Sequence, residues 1–365
     1  MKTVKLLHVA DLHLDSTFGS LPADKAVLRR KMQRRLLTRL RELVISSGVQ
    51  LVLIAGDVFD SDFVYAETAE TLTRELGAMR VPVFISPGNH DPFTVNSPYA
   101  KLELPENVRV FKRNSIECAT LPQLGVRVFG AAFTDNHCAP LLGGFTAPER
   151  DGYINLMCIH GELAPDSPYN AITESQLAQS GMDYAALGHI HKGSGLKRAG
   201  RTYYAWPGCP EGRGFDECGD KSVYITTISD SGCDVEELRV AGGRYEELTV
   251  EPGDGDALTA ILSALPENTQ NDVYRIILRG ECAEAPDTAS LTAALESRFF
   301  RISLTDRTVP RRDIWESASQ DSLKGQLLLR LRAAYDAALS DRERELIVRA
   351  ARWGVAALER REEVR

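Results

Sequence analysis

No stretch of this 365-residue chain comes near the ~20 consecutive apolar residues that a membrane-spanning helix needs, so a membrane-spanning protein is not expected. The segment from Met1 to His8 enters a strand pattern directly, without the apolar core and small-residue cleavage site of a secretory leader. Paired cysteines are lacking as well. The seven present form no Cys-x-x-Cys pair, which fits reduced thiols better than a disulfide framework. These absences predict a cytoplasmic protein. Positive charge is also short. With 43 Lys and Arg against 51 Asp and Glu the net charge is −8, which argues against a stand-alone, tight nucleic-acid binder, because phosphate contacts need cations. The deficit is local: residues 211–287 carry 18 acids and 6 bases, whereas residues 288–365 carry 15 bases and 12 acids.

What is present is an ordinary globular composition, 43% apolar and 26% charged, in a chain long enough for two domains and an addition. Histidine is concentrated in a few loops. Asp11-Leu12-His13, Gly56-Asp57, Gly88-Asn89-His90-Asp91, His160-Gly161 and Gly188-His189-Ile190-His191 each follow an apolar run that reads as a strand, and together they hold five of the seven histidines. An i, i+2 pair in extended backbone aims both side chains the same way, so Asp11 with His13 can reach one cation. His189 with His191 repeats that spacing after a glycine. Asp57 stands where an open α/β sheet places its site, at a strand's C-terminal edge after a glycine that permits close approach. Two histidines fall outside this pattern. His8, inside the first strand, reads as a packed core residue, and His137 as part of a surface loop.

Strands at 4–10, 50–55 and 81–85 alternate with helices at 24–47 and 65–79, which predicts α/β layering. The first helix has an apolar stripe at Leu28, Met32, Leu36, Leu40 and Leu43. Its basic residues, including Arg29, Arg30, Arg34, Arg35, Arg39 and Arg41, form either a solvated outer face or a strip that tracks a phosphate backbone. Strand candidates at 126–132, 153–159, 183–187, 201–205, 222–228 and 234–240 are closely spaced and suggest a second sheet with antiparallel pairing. The organisation expected is a main domain over 1–242, a small α+β domain over 243–308, a polar linker over 309–321 and a helix pair over 322–365. Leu323, Leu327 and Leu331 mark one helical stripe of that tail, and Leu346, Ala350 and Trp353 another.

The strand-end residues make sense as one site. Phosphate-ester hydrolysis at neutral pH needs an activated nucleophile and an offset for the phosphoryl charge, and two divalent cations roughly 3.5–4 Å apart supply both. Such a pair takes about seven protein ligands, and Asp11, His13, Asp57, Asn89, His160, His189 and His191 make that number. His90 is then free to position the phosphate or protonate the leaving oxygen, with Asp91 to orient its ring. Imidazole and oxygen ligands without thiolate suit Mn, Fe or Zn better than Mg.

In their order, these five motifs resemble the calcineurin-like metallophosphoesterases. Asp183-Tyr184-Ala185-Ala186-Leu187-Gly188-His189-Ile190-His191-Lys192 and Trp206-Pro207-Gly208-Cys209-Pro210-Glu211-Gly212-Arg213 further resemble the SbcD-type DNA repair exonucleases, in particular a shorter YhaO-like branch. The resemblance implies an α/β (α+β) fold: a two-sheet sandwich flanked by helices, a small α+β capping domain and a C-terminal helix pair. It implies two metal ions, usually Mn, with Asp11, His13 and His191 on the first, Asn89, His160 and His189 on the second, Asp57 bridging and His90 catalytic. It also implies DNA as substrate and an SbcC-like coiled-coil ATPase docked on the helix pair; a homodimer is left open. Relatives often carry Asn where Cys209 stands, which bears on how that loop meets substrate. Two other functions fit the same residues: a phosphodiesterase or phosphomonoesterase for cyclic or small nucleotides, and a non-catalytic scaffold for an ATPase.

Overall fold

The computed structural model describes residues 2–148, 151–229, 231–253, 255–310 and 314–358. The chain opens as β1 (Thr3–Val9), α1 (Ala23–Ser46), β2 (Leu51–Ile54), α2 (Ala66–Ala78), β3 (Val83–Ile85), α3 (Pro98–Lys101) and β4 (Val108–Val110). It continues through β5 (Glu117–Leu121), β6 (Val126–Gly130), β7 (Ile154–His160), α4 (Glu174–Gln179), β8 (Tyr184–Gly188), β9 (Lys197–Ala199) and β10 (Thr202–Ala205). Then come β11 (Ser222–Ser229), β12 (Gly232–Arg239), β13 (Tyr245–Val250), α5 (Ala257–Ala264), β14 (Val273–Leu278), β15 (Glu281–Cys282) and α6 (Thr288–Leu295). The last elements are β16 (Arg301–Asp306), β17 (Val309–Pro310), α7 (Leu323–Ala337) and α8 (Asp341–Leu358).

The chain divides into two compact units. The first comprises Met1–Glu247, Glu267–Arg275 and Leu295–Ser303; the second comprises Leu248–Pro266, Ile276–Ala294 and Leu304–Arg365. Residues 243–308, expected as one module, therefore contribute to both. Their strand-helix-strand-helix-strand order is present, with the strands ordered β13-β14-β16. In the second unit α7 and α8 pack around Leu328 and Ala351, while Trp353 stays 62% exposed. Residues 311–313 of the expected linker and 359–365 of the expected helix pair lie outside the described residues.

Within the first unit, two six-stranded sheets face each other, ordered β12-β11-β1-β2-β3-β4 and β5-β6-β7-β8-β10-β9. Strand periodicity sorts their side chains. Val4, Leu6, Leu51, Leu53, Val126, Val128, Leu156 and Tyr184 fill the space between the sheets. The alternate residues of the first sheet, Leu7, Val9, Val52 and Ile54, pack with Leu36, Leu40, Leu72 and Leu76 of α1 and α2. Those of the second, Met157, Ile159, Ala185 and Leu187, pack with Leu177 of α4. The result is a helix-sheet-sheet-helix sandwich.

Two expectations about the sheets are corrected. The centre of the second sheet is parallel, since β6, β7, β8 and β10 run the same way, and only the edges β5 and β9 are antiparallel. The links from β6 to β7 and from β7 to β8 are long enough for crossovers, the latter carrying α4. The hairpin β11-β12 joins the first sheet instead, with β11 antiparallel to β1. Helix α1 also differs from expectation, because its buried face includes Arg29 and Gln33 rather than Leu28. Arg29 is fully enclosed, 3.3 Å from Glu211 and donating to the carbonyls of Gly243 and Asn271. Arg34 and Arg41 pair with Glu67 and Glu75 at 2.7 Å each. Much of the basic strip is thus engaged within the fold, leaving Lys31 and Arg35 exposed.

Candidate metal centre

The loops that leave β1, β2, β3, β7 and β8 meet at one edge of the sandwich. Those after β1 and β2 run as a short ladder, with the amides of Asp11, His13 and Leu14 donating to the carbonyls of Gly56, Asp57 and Val58. Close approach is built into the glycines. A Cβ on Gly56 would lie 2.1 Å from Nδ1 of His160, and one on Gly188 would lie 1.7 Å from the Ala55 carbonyl oxygen. Asp11, His13, Asp57 and His189 all have positive φ, at 53°, 42°, 50° and 97°. The i, i+2 pairs therefore do not converge by extended-strand alternation as expected. Left-handed backbone, unusual for residues with a Cβ, re-aims Asp11, His13 and His189, while His191 keeps negative φ. Gln33 of α1 holds the first of these loops, donating from Nε2 to the carbonyls of Leu12 and His13 and accepting from the Asp15 amide.

The side chains converge in two groups. Ligand atoms of Asp11, His13 and His191 lie within 4.8 Å of one another, with Nε2 of His13 3.2 Å from Nε2 of His191. In the second group, Asn89 Oδ1 is 2.9 Å from Nε2 of His160 and 3.1 Å from Nδ1 of His189. Asp57 Oδ2 sits between the groups, 3.6 Å from Nε2 of His13 and 3.4 Å from Nε2 of His160. It is buried and has no hydrogen-bond donor of its own. The other Asp57 oxygen accepts from the His90 amide at 3.0 Å.

Atoms outside the centre fix the rings. Nδ1–H of His160 donates to the Ala55 carbonyl at 2.9 Å, so Nε2 turns a lone pair toward Asn89 and Asp57. Nδ1–H of His191 donates to Glu217 at 2.6 Å, and Nδ1 of His13 lies 3.1 Å from Asp60. One guanidinium links these two carboxylates: Arg213 reaches Asp60 at 2.8 Å and Glu217 at 2.9 Å. Burial opposes the charged form of Asp57, but His160, His13 and His90 together outweigh it and hold its carboxyl below the usual range. Burial likewise opposes ionisation of Asp60, and His13 with Arg213 reverses it. Burial pushes the His13 imidazole down, favouring the neutral ring that a metal ligand requires. Imidazole nitrogens, carboxylate oxygens and an amide oxygen converge here around an Asp57 Oδ2 that no donor satisfies, which fits divalent cations.

Several residues stand elsewhere than expected. Asp91 does not orient His90. Its buried carboxylate accepts from the amides of Gly88, Val58 and Phe59 and from the Tyr99 hydroxyl, pinning the β2 and β3 loops together. The exposed His90 instead places Nδ1 3.3 Å from the Asp60 carbonyl. His8 is a core residue, donating from Nε2 to the Leu187 carbonyl and accepting the Tyr184 hydroxyl proton at Nδ1. Cys209 is fully buried behind His191 and burial pushes its thiol up to about 12, so it faces no substrate. Asp60, Glu217, Arg213 and Gln33 escaped the sequence reading, since isolated charged or amide residues carry no spacing signal. His137 is exposed in a loop as read, and its ring stacks on Tyr169 beside the centre.

A sequence model of the calcineurin-like phosphoesterases matches residues 4–193, just over half of the chain and all of the loops that build this centre. The chain belongs to the calcineurin-like phosphoesterase family. Among its relatives in this family is the uncharacterized metallophosphoesterase YhaO of Bacillus subtilis (strain 168), 26% identical over 76% of this chain and 72% of that protein. A DNA double-strand break repair protein Mre11 of Aeropyrum pernix is 24% identical over 70% of this chain and 65% of its own length. The SbcD component of the nuclease SbcCD of Rhodobacter capsulatus is 29% identical over 38% of this chain, spanning only 31% of that protein. Membership makes the chain a phosphoesterase with divalent metal ions. Among the described residues no helix is long and apolar enough to cross a membrane.

Proposed function

We propose that this calcineurin-like phosphoesterase is a two-metal phosphodiester hydrolase that runs on Mn and cuts DNA at its ends, beside an SbcC-like coiled-coil ATPase. The observation that carries the reading is Asp57 Oδ2, buried without a donor between two groups of inward-facing acceptors. In this reading Asp11, His13 and His191 hold one ion, Asn89, His160 and His189 hold the other, and Asp57 serves both. Bound there, two divalent ions offset the charge of a phosphodiester and acidify a water. Imidazole and oxygen donors suit Mn, with Fe and Zn as the other candidates. The rest is done by the chain. Asp60, Glu217 and the Ala55 carbonyl hold three imidazoles in the tautomer that faces inward. The neutral Asn89 amide supplies an oxygen without adding charge against an anionic substrate. His90, with Nδ1 toward the Asp60 carbonyl, has Nε2 free to carry a proton to the leaving oxygen.

DNA as substrate is supported by relatives named for double-strand break repair and for a nuclease. The partner is supported by the α7-α8 pair, which exposes Trp353 and Leu346. A second reading, hydrolysis of a small nucleotide, is favoured by the cavity beside His90, where no Lys or Arg is among the lining residues. Linear duplex DNA incubated in Mn with the protein, alone and with its ATPase, should shorten, whereas Asp57→Asn should leave it intact. Phosphodiester and phosphomonoester reporters run in parallel separate the readings. Intact DNA with rapid cleavage of either reporter would replace the first reading by the second, and a protein inert toward all three would sink both.

A further inference from the structure

A cavity of about 380 Å³ opens beside the centre, and Asn89, His90, Asp60, Asp62, His137 and Tyr169 are among the residues that line it. We propose that it is a subsite for a single unpaired nucleoside next to the scissile phosphodiester, with His137 and Tyr169 as the residues that stack on its base. The proposal rests on the phosphodiesterase reading and deepens it.

Three observations carry it. The first is the aromatic wall. His137 and Tyr169 lie nearly parallel, 14° apart with ring centroids at 5.6 Å, and Tyr169 reaches 4.9 Å from the ring of His189. A series of rings therefore runs from the cavity wall to the centre. The second is that the two loops carrying this wall are tied together before any ligand arrives. The amide of Cys138 donates to the Pro168 carbonyl and that of Asn170 to the Cys138 carbonyl, lacing the two loops together. Asn170 then anchors the pair, donating from Nδ2 to the His160 carbonyl at 2.7 Å and accepting the Leu141 amide at 2.9 Å. Loops laced in this way lose little backbone freedom when a base stacks on them.

The third observation is charge and size. No Lys or Arg is among the lining residues, and Asp60 and Asp62 are. Asp60 is already engaged by Arg213 and His13, so Asp62 is the carboxylate that disfavours a further phosphate and can accept hydrogen bonds from sugar hydroxyls or base amino groups. About 380 Å³ is near the lower end of small-molecule sites, roughly 300–1,000 Å³, which suits one nucleoside and not a duplex. Stacking reads no sequence, because every base offers a π-face. The subsite should therefore prefer a nucleoside over a small alkyl group without strong preference among bases.

Two diesters with the same leaving group test this with the full-length chain in Mn: thymidine 5′-(4-nitrophenyl phosphate) and methyl 4-nitrophenyl phosphate. The expected ratio of their kcat/KM values is roughly tenfold or more in favour of the nucleoside. His137→Ala and Tyr169→Leu should each pull that ratio toward one, mostly through KM, and Tyr169→Phe should keep it. A ratio near one in the native chain, or one that neither substitution lowers, overturns the subsite and leaves the phosphodiesterase reading standing. Should neither diester be cleaved, the phosphodiesterase reading fails by itself. The subsite is then decided by calorimetric titration of deoxyadenosine 5′-monophosphate in Mn: binding about tenfold weaker in His137→Ala supports it, and equal binding overturns it.

Discussion

His8 gives the sandwich a built-in sensitivity to acid whose size can be worked out. Burial between the sheets drives its imidazole down from 6.5 to about 3, against the opposing pull of its hydrogen bond to Leu187. The folded chain therefore keeps His8 neutral at pH values where the unfolded chain protonates it. Because the folded value is the depressed one, the contribution is full above pH 6.5, shrinks as pH falls below it, and is gone below about 3. Between pH 8 and pH 5 the loss comes to about 2 kcal/mol, at about 1.4 kcal/mol for each pH unit below 6.5. Replacing His8 by Asn removes the titrating group while keeping a side chain that can hydrogen-bond. Urea unfolding at the two pH values, for native and His8→Asn chains, isolates the effect from every other carboxylate and histidine. Trp206 is buried just after β10 and reports on this unit alone once Trp315 and Trp353 are changed to Phe. The stability difference between the two chains should narrow by about 2 kcal/mol on going to pH 5. A difference that stays constant would refute the claim that His8 is held neutral.

Two further outcomes follow from buried charge. Arg213 joins the carboxylates behind His13 and His191, so Arg213→Met should weaken Mn binding at that pair by about 10–100-fold, read by calorimetry; unchanged affinity would show that the guanidinium does not position them. Arg29→Met leaves Glu211 buried with Arg39 as its neighbouring cation, 3.5 Å away, and should cost about 3–5 kcal/mol in urea unfolding. The double change Arg29→Met with Glu211→Leu should recover part of that loss, and no recovery would mean the arginine acts through packing instead of charge.

Much of the centre could be read from the chain because cations restrict which residues can surround them. Asp, His and Asn at the ends of apolar runs stand out against the turn residues usual there. What lay beyond reading was whatever depends on a distant partner. Nothing local in residues 222–239 says that they pair with β1, and spacing alone does not separate a crossover from a hairpin. Arg29 and Gln33 sit on a helix whose period is plain, yet their inward direction is decided by Glu211 and by the carbonyls of Leu12 and His13. Asp91 misled because adjacency to His90 in sequence suggested adjacency in space, whereas one step along a tight loop turns its carboxylate into the protein. The left-handed backbones at Asp11, His13, Asp57 and His189 were hidden for a related reason, since surroundings and not residue type impose them.

The gathering of the proposed ligands from both sheets has a consequence for synthesis. Translation delivers Asp11 early and His191 some 180 residues later, with the loops between them useless for ion capture until β8 has joined the second sheet. An emerging chain of this kind stays unable to load its ions while its first sheet is already taking shape on the ribosome. In the two-ion reading, hydrolytic power is thereby withheld until the sandwich has closed.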